Sequence, residues 1–123
     1  MYILGLNVFH GDASACIFKD GKLICAAEEE RFTRIKHSAG FPKHAIEFCL
    51  TDSNVRLENV DYIAINRNPK LRIFKKIIYA IKNQFRIKNF FNRLKNYRKI
   101  NSLELEFSKN FNIDPSKLKK KNY

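Results

Sequence analysis

The sequence predicts an α/β domain, a mixed sheet followed by basic amphipathic helices, and three observations carry that prediction. Residues 2–8 form an almost unbroken apolar run of strand length. Asp20-Gly21 sits between two β-like runs, a strong signal for a two-residue hairpin. An amphipathic stretch then separates that hairpin from a further apolar run at 60–67. A helix between two strands allows them to run parallel in one sheet.

Taken in order, residues 2–8 read as a largely buried central strand. The chain breaks at His10-Gly11-Asp12 and resumes as a short strand over 15–19. Residues 22–27 return from the hairpin and run into Glu28-Glu29-Glu30-Arg31. Phe41-Pro42 precedes a helix over about 43–51, and a proline suits a helix's first turn. Ala45, Phe48 and Cys49 are spaced to share its apolar face. Residues 60–67 read as a buried strand parallel to the first. This order is the opening half of a ribonuclease-H-like or actin-like ATPase fold, which many unrelated functions share.

The second half differs in character. Residues 1–65 hold 7 Lys/Arg and 9 Asp/Glu, about −2; residues 66–123 hold 17 and 3, +14, which together give the net +12. Residues 70–100 show helical periodicity, with Phe74, Ile77, Ile78, Ile81 and Phe85 on one face and Lys/Arg between them. A shorter helix is predicted over about 102–111, opening with Ser102, Glu104 and Glu106. With 123 residues the chain has room for one ordinary domain. No apolar run approaches the roughly 20 residues that a membrane-spanning helix needs, and no secretion signal is visible, so cytoplasm is the expected location. Cys16, Cys25 and Cys49 read as small core hydrophobes, with no Cys-x-x-Cys pair to hold zinc.

Two segments concentrate chemistry. His10 and Asp12 place a titratable ring and a carboxylate in one loop at the end of a strand, where Gly11 and Ser14 suit an approach to a phosphate or acyl group. Read alone, the loop also fits a polar turn. Residues 28–37 pack three acids, three bases and His37 into ten positions. They read either as a self-paired, solvated run or as a positive pocket for an anion.

Together these segments resemble a known family. Ile3-Leu4-Gly5-Leu6-Asn7, His10-Gly11-Asp12-Ala13-Ser14-Ala15, Gly21-Lys22-Leu23-Ile24, residues 27–37, Phe41-Pro42 and Val60-Asp61-Tyr62-Ile63-Ala64 are similar to the N-terminus of the O-carbamoyltransferases of the NodU/CmcH type. The resemblance covers residues 2–68, so 1–68 is expected to be the first part of the carbamoyltransferase actin-like domain and 69–123 a basic helical insertion or continuation of it.

The resemblance implies an actin-like domain followed by a YrdC-like domain. It implies enzymes that use carbamoyl phosphate and ATP to form carbamoyl adenylate, then pass the carbamoyl group to a hydroxyl of a sugar or natural product. By position, His10, Asp12 and Lys36 would be catalytic: His10 assisting deprotonation or orienting the carbamoyl group, Lys36 steadying negative charge. Ser14, Arg31, Arg34 and His37 would contact substrate. The family also implies a divalent metal held by a His-x-x-x-His motif beyond the basic stretch, whereas the histidines here are His10, His37 and His44. The expectation is therefore an N-terminal fragment that is inactive alone and binds neither ATP nor metal with its own residues. Its partner would be the missing C-terminal part or a full-length homologue. The alternative is a small basic protein that docks on nucleic acid or an acidic partner, nucleic acid being the less expected.

Overall fold

The computed structural model describes residues 1–9, 11–66 and 103–114. His10 and the basic periodic stretch at 70–100 lie outside the described residues. The elements are β1 (Tyr2–Asn7), β2 (Ser14–Lys19), β3 (Lys22–Glu28), the single-turn helix α1 (Glu30–Thr33), α2 (Lys43–Asp52), a 3-10 turn at Leu57–Asn59, β4 (Tyr62–Ile65) and α3 (Leu103–Phe111).

The first three strands form a meander. Asp20 and Gly21 both adopt positive φ (50° and 81°), the left-handed backbone that the tightest hairpin turn requires. Asp20 also takes the N-terminal ammonium of Met1, which closes that end of the sheet. Ile17 pairs with Cys25 and Phe18 with Leu23, so Ile24 bulges out of the ladder. After α2, β4 returns alongside β1 in parallel, giving the order β3-β2-β1-β4. The parallel pairing matches the sequence expectation. β4 is shorter than 60–67: Val60 lies after the 3-10 turn, buried but outside the ladder.

The strand period of two sorts the residues onto faces. Leu4, Leu6, Ala15, Ile17 and Ile63 are buried, and with Ala45, Ile46 and Cys49 of α2 they form one core. Fully burying a Leu or Ile side chain stabilises by about 1.5–3 kcal/mol. The predicted apolar face of α2 needs one correction. Phe48 is exposed, and Ile46 takes the buried place. Phe48 packs instead on Phe32 of α1, with ring centroids 5.6 Å apart. Leu103 and Phe107 of α3 join the same core, and Phe107 meets Phe41 edge-on at 5.0 Å.

The other face of the sheet is lined by small residues. Gly5 pairs with Cys16 and Ala64, and Cys16 pairs with Ala26. A Cβ on Gly5 would lie 2.7 Å from Cys16 Sγ, so glycine interrupts the apolar run because its neighbour's sulfur needs the space. β1 is central, as expected, yet among the described residues it is buried on one face and not both. The three cysteines are free thiols, with Cys49 fully buried and Cys16 and Cys25 half-buried. Burial, then the neighbouring Cys25, pushes the Cys49 thiol up to about 12, which makes it a packing group and not a nucleophile.

Candidate active site

The candidate site lies at the carboxyl ends of β1 and β4. Open α/β sheets commonly bind ligands beyond these strand ends. β1 ends at Asn7, and residues 8–13 loop over to β2. Val8 is buried and pins the start of the loop, while Ala13, also buried, pins its end. Between them Phe9 and Asp12 both have positive φ (54° and 62°). A non-glycine residue in this region typically costs of order 1–2 kcal/mol, so the surrounding contacts must hold it there.

Those contacts come from the segment after α1. Phe9 N donates to Gly40 O (2.9 Å), and Ala13 N donates to Ser38 O (3.0 Å). The two loops are thus tied at both ends, and they bring Asp12 and His37 together. Asp12 Oδ1 accepts from His37 Nδ1 at 2.9 Å, across 25 residues of sequence. This hydrogen bond, its accompanying charge attraction and a smaller contribution from Glu30 raise the pKa of His37 above the ordinary imidazole value. Both side chains are exposed, so the pair is open to a ligand.

A second anchor is Glu29. Its side chain is buried, and a buried carboxylate is tolerable only with partners. Three surround it. Ala45 N donates to Oε2 (2.9 Å), while His44 N (3.3 Å) and His44 Nδ1 (2.6 Å) donate to Oε1. Glu29 therefore caps the N-terminus of α2, where unpaired N–H groups and the helix dipole favour negative charge. Its own N–H donates to Ala13 O at 2.8 Å. One residue thus holds the end of the Asp12 loop, α1 and α2 in fixed relation.

The structure divides the sequence candidates into two groups. Asp12 and His37 pair in the loop. Ser14 and Arg31 instead line a broad groove of about 980 Å³ on the small-residue face, with Asn7, Glu28, Phe32, Phe48 and Asn66 around them. Arg31 lies 3.8 Å from Glu28. Arg34 and Lys36 are exposed on the segment that carries His37, and among the described residues neither makes an ion pair. Arg34 ends α1 in a left-handed conformation. The position of His10 lies outside the described residues, between Phe9 and Gly11. The self-paired, solvated reading of the 28–37 run holds for Glu28 and Arg31, a surface pair, while Glu29 departs from it as a buried anchor.

Sequence reasoning passed over Glu29, His44, Asn7 and Asn66. An amide at a strand end just before a polar loop was the available signal for Asn7. Glu29 carried none, because its partners lie 15 and 16 positions away.

The family of carbamoyltransferase N-terminal domains matches residues 2–112. The chain belongs to this family. The match includes both halves of the site, the sheet, and α3. Among relatives, an uncharacterized protein of Synechocystis is 43% identical over 68 residues, covering 55% of this chain and 11% of that protein. The nodulation protein NolNO of Sinorhizobium fredii is 45% identical over 58 residues, covering 47% of this chain and 8% of NolNO. An uncharacterized 19.2 kDa protein of Rhizobium etli is 43% identical over 58 residues, 47% of this chain and 34% of that protein. The matched regions thus span a minor part of each of these relatives.

Proposed function

We propose that this chain supplies part of a carbamoyl-transfer site, in which the carbamoyl group of an activated donor passes to a hydroxyl of a sugar or natural product. Membership of the carbamoyltransferase family supports the reaction class. The observation that carries the assignment of residues is the Asp12–His37 pair, held by two loops at the carboxyl end of β1.

The chemistry follows from the pairing. Asp12 occupies Nδ1 of His37, which leaves Nε2 for a second partner. A positively charged ring can then donate to the carbamoyl oxygen or to a phosphate. As the acceptor hydroxyl attacks the carbamoyl carbon, negative charge builds on that oxygen, and fixed cations nearby lower the barrier. Lys36 is the second cation in this reading. His10 takes the proton of the attacking hydroxyl, and the bond from the carbamoyl carbon to the phosphate oxygen breaks as the new ester forms. Ser14, Arg31 and Arg34 bind the anionic or polar parts of the substrates.

Carbamoyl phosphate and ATP, through carbamoyl adenylate, are the proposed donor route, with activation carried out by a separate domain. Among the described residues no three His, Cys, Asp or Glu side chains gather to hold a metal ion. The 123 residues alone are expected to transfer no carbamoyl group to a sugar acceptor. Measurable transfer from labelled carbamoyl phosphate by the purified chain would overturn that expectation. Adding carbamoyl phosphate to the isotopically labelled chain tests the site. Shifts are expected at Lys36 and His37, lost in Asp12→Asn. A spectrum that does not respond would rule out a donor site here.

A further inference from the structure

We propose that Asn7 is a positioning residue: its side-chain amide, oriented by Asn66, ties down the backbone at Gly11 and Asp12 and so holds Asp12 where it meets His37. The inference deepens the carbamoyl-transfer reading and rests on it for the meaning of the Asp12–His37 pair. Its physical argument is independent of the reaction.

Asn7 is the last residue of β1 and is half-buried. Its Nδ2 donates to two loop carbonyls, Gly11 O at 3.2 Å and Asp12 O at 2.7 Å. Its Oδ1 accepts from Nδ2 of Asn66. Both amide hydrogens and the amide oxygen are therefore in use. The chain of bonds also has a direction. Two carbonyl oxygens demand donors, so the NH₂ end of Asn7 must face the loop. Only then does its oxygen face Asn66, whose NH₂ fixes that choice.

The strand register explains why the two amides meet. Gly5 pairs with Ala64 and Leu6 with Ile65 in the parallel ladder, so Asn66 lies beside Asn7 on the same face. Asn66 N also donates to Leu6 O at 3.2 Å, extending the ladder by one bond. The loop needs this brace because Phe9 before the contact and Asp12 within it hold left-handed backbone conformations. An aspartate at position 7 has the same shape but would set carboxylate oxygens against two carbonyls, reversing the interaction. Asn7 also lines the groove with Ser14 and Arg31, so it joins the two groups of site residues.

The test reads the His37 ring by NMR titration of the whole chain. Asp12→Asn sets the baseline by removing the charge that raises the His37 value. Asn7→Ala is expected to lower the His37 titration most of the way to that baseline, and Asn66→Ala part of the way. Ile17→Val, which loosens the core without touching the amides, should leave it unchanged. Wild-type titration in folded Asn7→Ala, with Asp12→Asn clearly shifted, overturns the proposal. If Asp12→Asn does not move His37, the pair itself fails, and with it the reading of the site. If Asn7→Ala does not fold, Asn66→Ala decides: it leaves the Asn7 side chain in the protein but removes the donor that orients its amide, and an unmoved His37 there overturns the orienting role.

Discussion

At the scale of single residues, the pair of Asp12 and His37 makes a pH prediction with a definite sign. The folded state raises the His37 pKa, so the pair stabilises fully below the unfolded imidazole value of about 6.5. That contribution is lost as pH rises through the folded value. The difference in melting temperature between wild type and Asp12→Asn is expected to be larger at pH 6 than at pH 9, as calorimetry at the two pH values would show. Gly5 makes a second prediction. Gly5→Ala brings a methyl group to 2.7 Å from Cys16 Sγ and should cost about 1–3 kcal/mol, as overpacking does. The double variant Gly5→Ala/Cys16→Ala removes the sulfur and should recover most of the loss in urea unfolding. In the native protein Cys49 is expected to resist alkylation, since its thiol is buried and held neutral, and to react once the chain is unfolded.

At the scale of elements, legibility followed distance along the chain. The hairpin was readable because Asp20 and Gly21 specify their own backbone and need nothing from elsewhere. β4's parallel return was readable because a helix lies between it and the hairpin. The apolar face of α2 was read partly wrong. Phe48 and Ile46 both border the Ala45–Cys49 stripe, and helical spacing alone does not say which side the sheet covers. In the fold the sheet covers Ile46, and Phe48 meets the Phe32 ring at the edge in a tilted contact. Glu29 was invisible because a charged run usually faces water, and nothing local marks one member as the cap of a later helix. Glu29→Ala should remove three accepted bonds and cost about 2–3 kcal/mol, while Glu29→Gln, which keeps one acceptor oxygen, should cost less. Chemical denaturation of the two variants checks the order, and a silent Glu29→Ala would deny its anchoring role.

At the scale of the whole molecule, the charge asymmetry between residues 1–65 and 66–123 invites a second reading as a nucleic-acid binder. Family membership favours the enzyme-domain reading, and the two differ in their response to salt. A protein that neutralises several phosphates loses affinity by orders of magnitude, about 10³–10⁵ between 50 and 200 mM salt for six to ten contacts. For this chain only weak, sequence-indifferent binding to duplex DNA is expected, and tight binding with a steep salt slope would favour the rival. The described candidate site was half legible in sequence. Its charged residues stood out, and so did their nearness in the 10–14 and 28–37 segments. The division between loop pair and groove did not, because it depends on which face of the sheet each residue takes.

The bond between Asn7 and Asn66 spans 59 residues, while the β1–β2–β3 meander closes over short turns. Near-neighbour contacts form early in folding, and contacts between distant residues wait for larger loops to close. The order of assembly follows. In a folding chain both hairpins can close over their short turns before the 59-residue separation between Asn7 and Asn66 is bridged. Until β4 arrives, Asn7 has no neighbour to turn its amide, and the Asp12 loop lacks its full brace. The last described strand to be synthesised is thus the one that completes the candidate reaction centre, so the fold has an early skeleton and a late chemistry.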